Sequence, residues 1–121
     1  MDADAVRTWV EAYRSAWESN DPEAIGGLFT QDATYLTEPY AEPWVGREAI
    51  VAEWLKARDE PGQTEFSSEV IAIDGNLAFV QGLTRYLTPE LRDYSNLWVI
   101  RLAEDGRCDA FTEWWMKHRT S

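Results

Sequence analysis

The chain has 121 residues, with 22 acidic against 11 basic side chains and a net charge of −11. This argues against nucleic acid or an anionic membrane as partner, because phosphate contacts need Lys and Arg gathered on one face. A hydrophobic content of 45% and a charged content of 27% fit one globular domain over residues 1–121, large enough for one core and one pocket. No apolar run approaches the roughly 18 residues of a membrane span, and the first residues lack the basic and apolar regions of a leader. The single cysteine, Cys108, has no internal partner. Together these features imply a cytoplasmic protein.

Val6, Trp9, Val10, Tyr13 and Trp17 recur at intervals of three and four, which marks one helix face. Asp2 or Asp4 caps its start and Asn20 closes it. Asp21-Pro22-Glu23 opens a second helix, with Asp21 as N-cap and Pro22 in the first position, burying Ile25, Leu28 and Phe29. Residues 32–37 read as a short strand. Residues 38–44 read as a loop carrying two prolines and two exposed-type aromatics, Tyr40 and Trp44. Gly46 precedes a third helix over residues 47–58, with Ile50, Trp54, Leu55 and Ala57 inward, and Pro61-Gly62 breaks it.

Four strands in series follow: 64–74, 77–87, 94–103 and 107–117. Gly75-Asn76 and Glu104-Asp105-Gly106 are hairpin turns, and Pro89 marks a looser one. Helices at one end of the chain and a meander at the other predict an α+β fold. Three N-terminal helices then pack in the concave face of a curved, mostly antiparallel sheet, a cone with an internal pocket.

Seven tryptophans in so short a chain are the most informative feature. Leu, Ile and Val fill cores without an N–H that needs a partner, so many indoles point to an aromatic-lined cavity, or else to a Trp-rich core or dimer face. A small hydrophobic or aromatic molecule is the expected ligand. The expected lining is Trp9, Trp17, Tyr35, Trp54, Arg85, Trp98, Phe111 and Trp115, with Tyr13 beside them. Metal and cofactor are not expected. His118 is the one histidine, carboxylates do not fall at calcium-loop spacing, and there is no Gly-rich phosphate loop.

Three segments carry a family resemblance. The run from Asn20 to Ile25 followed by Leu28-Phe29 and Asp32-Ala33-Thr34 is one. Gly46-Arg47-Glu48-Ala49-Ile50 is the second, and Asp105-Gly106-Arg107 before Glu113-Trp114-Trp115 is the third. Their order and spacing resemble the nuclear transport factor two-like superfamily, also called SnoaL-like or ketosteroid-isomerase-like, across nearly the whole chain. That family includes isomerases, polyketide cyclases, epoxide hydrolases, dehydratases and non-catalytic binding domains, so the fold leaves function open.

The resemblance puts Tyr13 at the isomerases' oxyanion-stabilising tyrosine; the alternative is a core phenol. Their base falls on Thr37 if no gap is allowed, and on Glu38, before Pro39, with one inserted residue. Their second oxyanion donor falls on Trp98, which an indole cannot replace as an acid, so steroid isomerisation does not follow. Glu113 sits where limonene-type epoxide hydrolases hold an acidic aspartate, but the neighbouring strand offers Arg85, Gln81 and Thr84 without a second carboxylate.

Alternation places Phe111, Glu113 and Trp115 on one face and Thr112, Trp114 and Met116 on the other, and the resemblance turns the first set inward. The reversed parity makes Glu113 a surface charge and Trp114 the cavity wall. Which face of the strand bearing Arg85 points inward is left open by the sequence. Two functions fit. One is a cofactor-independent isomerase, cyclase or hydrolase using Glu113 or Glu38 for proton transfer and Tyr13 for the oxyanion. The other is a non-catalytic ligand-binding or assembly domain, a homodimer packed through the outer face of the sheet.

Overall fold

The computed structural model describes residues 2–60 and 62–119. Helix α1 spans Ala3–Ser19, α2 Pro22–Gly26 and α3 Arg47–Lys56; the strands are β1 Phe29–Leu36, β2 Trp44–Val45, β3 Thr64–Asp74, β4 Leu77–Tyr86, β5 Arg92–Leu102 and β6 Cys108–Lys117. The architecture is α+β, with the helices packed against a curved, open six-stranded sheet of order β2-β1-β6-β5-β4-β3. All neighbours are antiparallel except β1 and β6.

Local chemistry sets the helix ends. Asp2, rather than Asp4, is the N-cap of α1: its carboxylate accepts from the Ala5 N–H at 2.9 Å. Asp21 caps α2, with Pro22 at a position where no backbone donor is needed. Asn20 ends α1 in the left-handed region at φ 54°. Its side chain also ties three elements together: Nδ2 donates to the Asp59 carbonyl at 2.9 Å, and Oδ1 accepts from the Trp54 indole at 3.2 Å. Asn20→Gly keeps the backbone conformation and loses only these bonds, whereas Asn20→Ala loses both. Chemical denaturation is expected to show a loss of about 1–2 kcal/mol for Gly and a larger one for Ala. Equal losses would mean that the tie contributes little beyond the backbone.

Boundaries differ from the sequence reading where pairing decides them. Strand β1 starts at Phe29, earlier than residue 32, because Phe29 pairs with Cys108 and the Leu28 carbonyl accepts the Cys108 N–H at 2.8 Å. Trp44 and Val45 form a short strand on β1 rather than loop. Helix α3 stops at Lys56, two residues early, where the Ala57 N–H bonds Glu53 and Trp54 in a tightening last turn. Pro61, half of the expected helix breaker, lies outside the described residues; Gly62 adopts φ 78°.

Two hairpins carry the meander. Gly75 supplies φ 61° between β3 and β4, and Gly106 supplies φ 85° between β5 and β6. Bulges near Ile71 and Asp109 shift alternation, which lets Ile73 and Cys108 face the helices beside strands whose phase would otherwise turn them out. The core between sheet and helices is aromatic: Trp9 contacts Tyr13, Phe29, Trp98 and Phe111. The Trp9 indole donates to the Leu28 carbonyl at 2.9 Å.

Candidate functional site

Between α1, α3 and the concave sheet lies a cavity of about 360 Å³. Helix α1 contributes Tyr13 and Trp17, α3 contributes Trp54, β1 contributes Tyr35, and the inward positions of β4, β5 and β6 contribute Thr84, Tyr86, Tyr94, Asn96, Trp98, Glu113 and Trp115. Arg58 and Trp115 also border it and are solvent-exposed, so they mark its mouth.

The inner wall holds a polar chain across three strands. The Thr84 hydroxyl donates to Asn96 Oδ1 at 2.7 Å, and Asn96 Nδ2 donates to Glu113 Oε2 at 3.2 Å. The first bond fixes the amide orientation that presents N–H to the carboxylate. Glu113 faces Trp98 directly across the β5–β6 ladder. Desolvation by the surrounding rings raises its pKa from 4.5 to about 7, while Trp98 and Asn96 partly offset this by favouring the charged form. The Trp98 indole nitrogen is nonetheless buried with no acceptor in hydrogen-bonding geometry.

Opposite stands a tyrosine pair. The Tyr13 and Tyr35 hydroxyls are 2.7 Å apart, and burial pushes both well above the ordinary phenol range. Both stay protonated near neutrality. Since one O–H satisfies the pair, the second is free to donate elsewhere. Tyr86 is pushed to about 12, mainly by desolvation.

Of the residues expected from the sequence, Tyr13, Trp17, Tyr35, Trp54, Trp98, Glu113 and Trp115 border the cavity. Trp9 and Phe111 do not: they are 4% and 1% exposed in the core beneath it, packed against Tyr13. Arg85 is also misplaced. It lies on the outer face of β4, gripping Asp93 at 2.8 and 3.1 Å, because Thr84 and Tyr86 take the inward phase. Glu38 is outside the cavity, beside Tyr40, whose hydroxyl its charge and hydrogen bond raise in pKa. The ungapped position, Thr37, is the one that lines the cavity.

Several lining residues were not singled out. Trp44, taken as exposed, stacks on Tyr35 at 4.7 Å and 10°. Asn96, two residues before Trp98 on an alternating strand, shares its face, and that parity was the signal for it. Thr84 needed the phase of β4, which no pattern in the sequence settles. Asp59 closes the wall by accepting from the Trp17 indole at 2.9 Å. Cys108 is fully buried and pushed to about 12 by desolvation, so it is no thiolate near neutral pH. Exposed His118 meets the Ser95 hydroxyl at 2.7 Å, away from the cavity lining. Among the described residues, no three His, Cys, Asp or Glu side chains cluster as a metal site needs.

The packing behind Trp98 tolerates little added bulk at Gly82. A Cβ on Gly82 would sit 2.8 Å from Phe66 Cε1 and 2.9 Å from Cζ. Phe66 in turn stacks on Trp98 at 5.0 Å and 14° and meets Trp17 at 5.5 Å. Gly82→Ala is therefore expected to cost about 1–3 kcal/mol and to alter Trp fluorescence as the stack shifts. An unchanged denaturation midpoint would mean that Phe66 can move freely.

Comparison with known proteins agrees with this fold. A SnoaL-like domain family matches residues 10–111. The chain belongs to that family. An NTF-2 like protein of unknown function from Burkholderia xenovorans LB400 superposes with a TM-score of 0.74 at 18% identity, covering 98% of this chain and 88% of that one. A ketosteroid isomerase-like protein from Erwinia carotovora atroseptica SCRI1043 gives 0.69 at 17% identity, covering 94% and 95%. No curated protein matches the sequence. Among the described residues no helix is long and apolar enough to cross a membrane.

Proposed function

We propose that the cavity binds a small, flat, largely apolar molecule and that Glu113 moves a proton to or from it without a cofactor, the chemistry of an isomerase, cyclase or dehydratase. The observation that carries this reading is a carboxyl group held among aromatic rings with a pKa of about 7, poised between proton donor and acceptor at neutral pH. Its second oxygen, Oε2, is anchored by Asn96, which orients the group. The Tyr13–Tyr35 pair supplies a neutral O–H to share developing negative charge.

The test is proton exchange at a carbon beside a carbonyl. A cyclic ketone such as 1-tetralone is incubated with the protein in D₂O and followed by NMR. Glu113 takes the α-hydrogen, the bonding pair passes to the enolate, and a deuteron returns from the exchanged carboxyl. Exchange faster than with Glu113→Gln supports the reading. Binding without such exchange supports instead a non-catalytic ligand-binding domain.

The assembly proposed is a homodimer through the outer face of the sheet. There Phe79–Val99–Thr112, Gln81–Leu97–Trp114 and Leu83–Ser95–Met116 form cross-strand rows, and Leu83, Trp114 and Met116 are exposed. An exposed apolar patch on a sheet face suits a two-fold partner. Trp114→Glu is expected to convert a dimer to a monomer in light scattering; a wild-type monomer would refute the assembly.

A further inference from the structure

We propose that the open end of the cavity is a carboxylate-recognition site formed by Arg58, Arg92 and Lys117, which makes the ligand an amphipathic acid with a flat apolar body inside and one anionic group at the mouth. The inference rests on the cavity reading above and goes beyond it by naming the charged group that is recognised and the residues that recognise it.

The chain has eleven Lys and Arg side chains against 22 acids. Six of the cations, Arg7, Arg14, Lys56, Arg85, Arg101 and Arg107, sit 2.6–3.9 Å from a carboxylate. Arg47 donates instead to the Phe29 carbonyl at 2.9 and 3.0 Å. Of the four that remain, three converge on one place. Arg58, just past the end of α3, borders the cavity itself. Arg92 stands directly opposite Tyr86 in the β4–β5 ladder, and Lys117 directly opposite Tyr94 in the β5–β6 ladder. Opposed residues share a face of the sheet, and Tyr86 and Tyr94 both line the cavity. With two acids for every base, cations kept only for solubility have carboxylates to pair with. These three are in no ion pair among the described residues.

Arg92 is the best defined of the three. Its guanidinium carbon lies 4.7 Å from the centroid of the Tyr86 ring. Stacking of this kind holds the planar group against an apolar surface and leaves its in-plane N–H groups free to donate as a fork, the geometry that suits a carboxylate. Its Nε is buried without a hydrogen-bond partner among the described residues. Tyr86 meets Tyr94 edge-on at 5.5 Å, and Tyr94 meets Trp115 at 5.8 Å. The cations thus stand at the end of an aromatic rim that leads into the cavity.

The carboxylates closest in the fold are committed elsewhere. Asp59 accepts from the Trp17 indole, Asp93 is gripped by Arg85 on the outer face, and Glu65 lies opposite Arg85 on that same face. Glu113 lies deeper, four residues before Lys117 on β6, which is about 13 Å of extended strand. That length sets the ligand: two fused rings with a short acid arm reach from the carbon facing Glu113 to the mouth. The net charge of −11 does not oppose this. Exposed charges more than about 10 Å away are screened at 0.1 M salt, so a single carboxylate in contact responds to the local cations.

The experiment compares two probes of the same shape by calorimetry, 2-naphthylacetate and its neutral amide, 2-naphthylacetamide, at pH 6, below the Glu113 value of about 7. The wild type is expected to prefer the acid by about tenfold, the size of one charge-assisted hydrogen bond. In the double variant Arg58→Gln/Arg92→Gln the preference is expected to fall to about one while the amide binds as before. Arg7→Gln, which removes the same charge far from the mouth, is expected to keep it. Equal binding of acid and amide by the wild type, or a preference that survives in the double variant, overturns the assignment and leaves the cavity reading standing. Failure of both probes to bind the wild type overturns the two together. Should the double variant not fold, Arg58→Gln decides, since that side chain is exposed and its loss leaves the core untouched. It is expected to lower the preference by at least about threefold, and an unchanged preference refutes the proposal.

Discussion

Glu113→Gln is expected to be more stable than the wild type at pH 8, by roughly 3 kcal/mol, and about equal to it at pH 4. The carboxyl group titrates at about 7 in the folded chain against 4.5 when solvated, because burial among rings disfavours its charge. Between those values the folded state holds a proton that the unfolded state has released. The stabilising contribution of the neutral group is thus complete below pH 4.5 and fades as the pH rises through 7. The gap, at about 1.4 kcal/mol per pH unit, sets the size.

Glutamine keeps an oxygen to accept from Asn96 and never takes a charge, so it escapes the penalty. The readout is the difference between variant and wild-type unfolding free energies from urea curves at several pH values. Groups such as Asp93, held low by its hydrogen bond to Arg85, act equally in both proteins and cancel. A flat difference would refute the buried charge on which the proton-transfer proposal rests. In the ketone exchange assay the same variant is expected to lose a factor of about 10² to 10⁴.

Phe111→Ala is expected to lower stability by about 3–5 kcal/mol, a large share of what a domain of this size has to lose. Phe111 is 1% exposed. It stacks under Tyr35 at 4.5 Å and 19° and under Tyr13 at 5.6 Å and 13°, and it meets Trp98 at 5.3 Å. Truncation leaves a void beneath the tyrosine pair and releases both hydroxyls from their registry. Were Phe111 a ligand contact, as its alternation with Glu113 and Trp115 implied, Ala would weaken binding and leave the fold nearly intact. The two outcomes separate in a thermal melt set beside tetralin affinity. Phe111→Leu is expected to recover more than half of the lost stability.

Most elements of this fold were legible because they are specified locally; the short strand Trp44–Val45, which exists only by pairing with β1, was not. The face Val6, Trp9, Val10, Tyr13 is a period that only a helix satisfies, and Asp21-Pro22 and Gly75-Asn76 carry end and turn signals needing no distant partner. The inward phase of β6 was legible too, through alternation joined to the family pattern. Phe111 is buried, Glu113 borders the cavity, and Trp114 and Met116 are exposed.

What the sequence could not settle is how far in an inward residue goes. Alternation names a face but not a depth along the strand. Trp9 and Phe111 therefore read as lining when the helices press them into the core, and Arg85 was open because β4 is ambiguous in both phases. The distinction between Thr37 and Glu38 depended on a single residue of register in a loop, and of the two only Thr37 borders the cavity. Residue type, helix period and turn chemistry were thus determined by the chain alone. The tertiary structure decided the solvation of Glu113, the Thr84–Asn96–Glu113 chain and the buried N–H of Trp98. Each of these depends on residues far apart in sequence that only the packed sheet brings side by side and away from water.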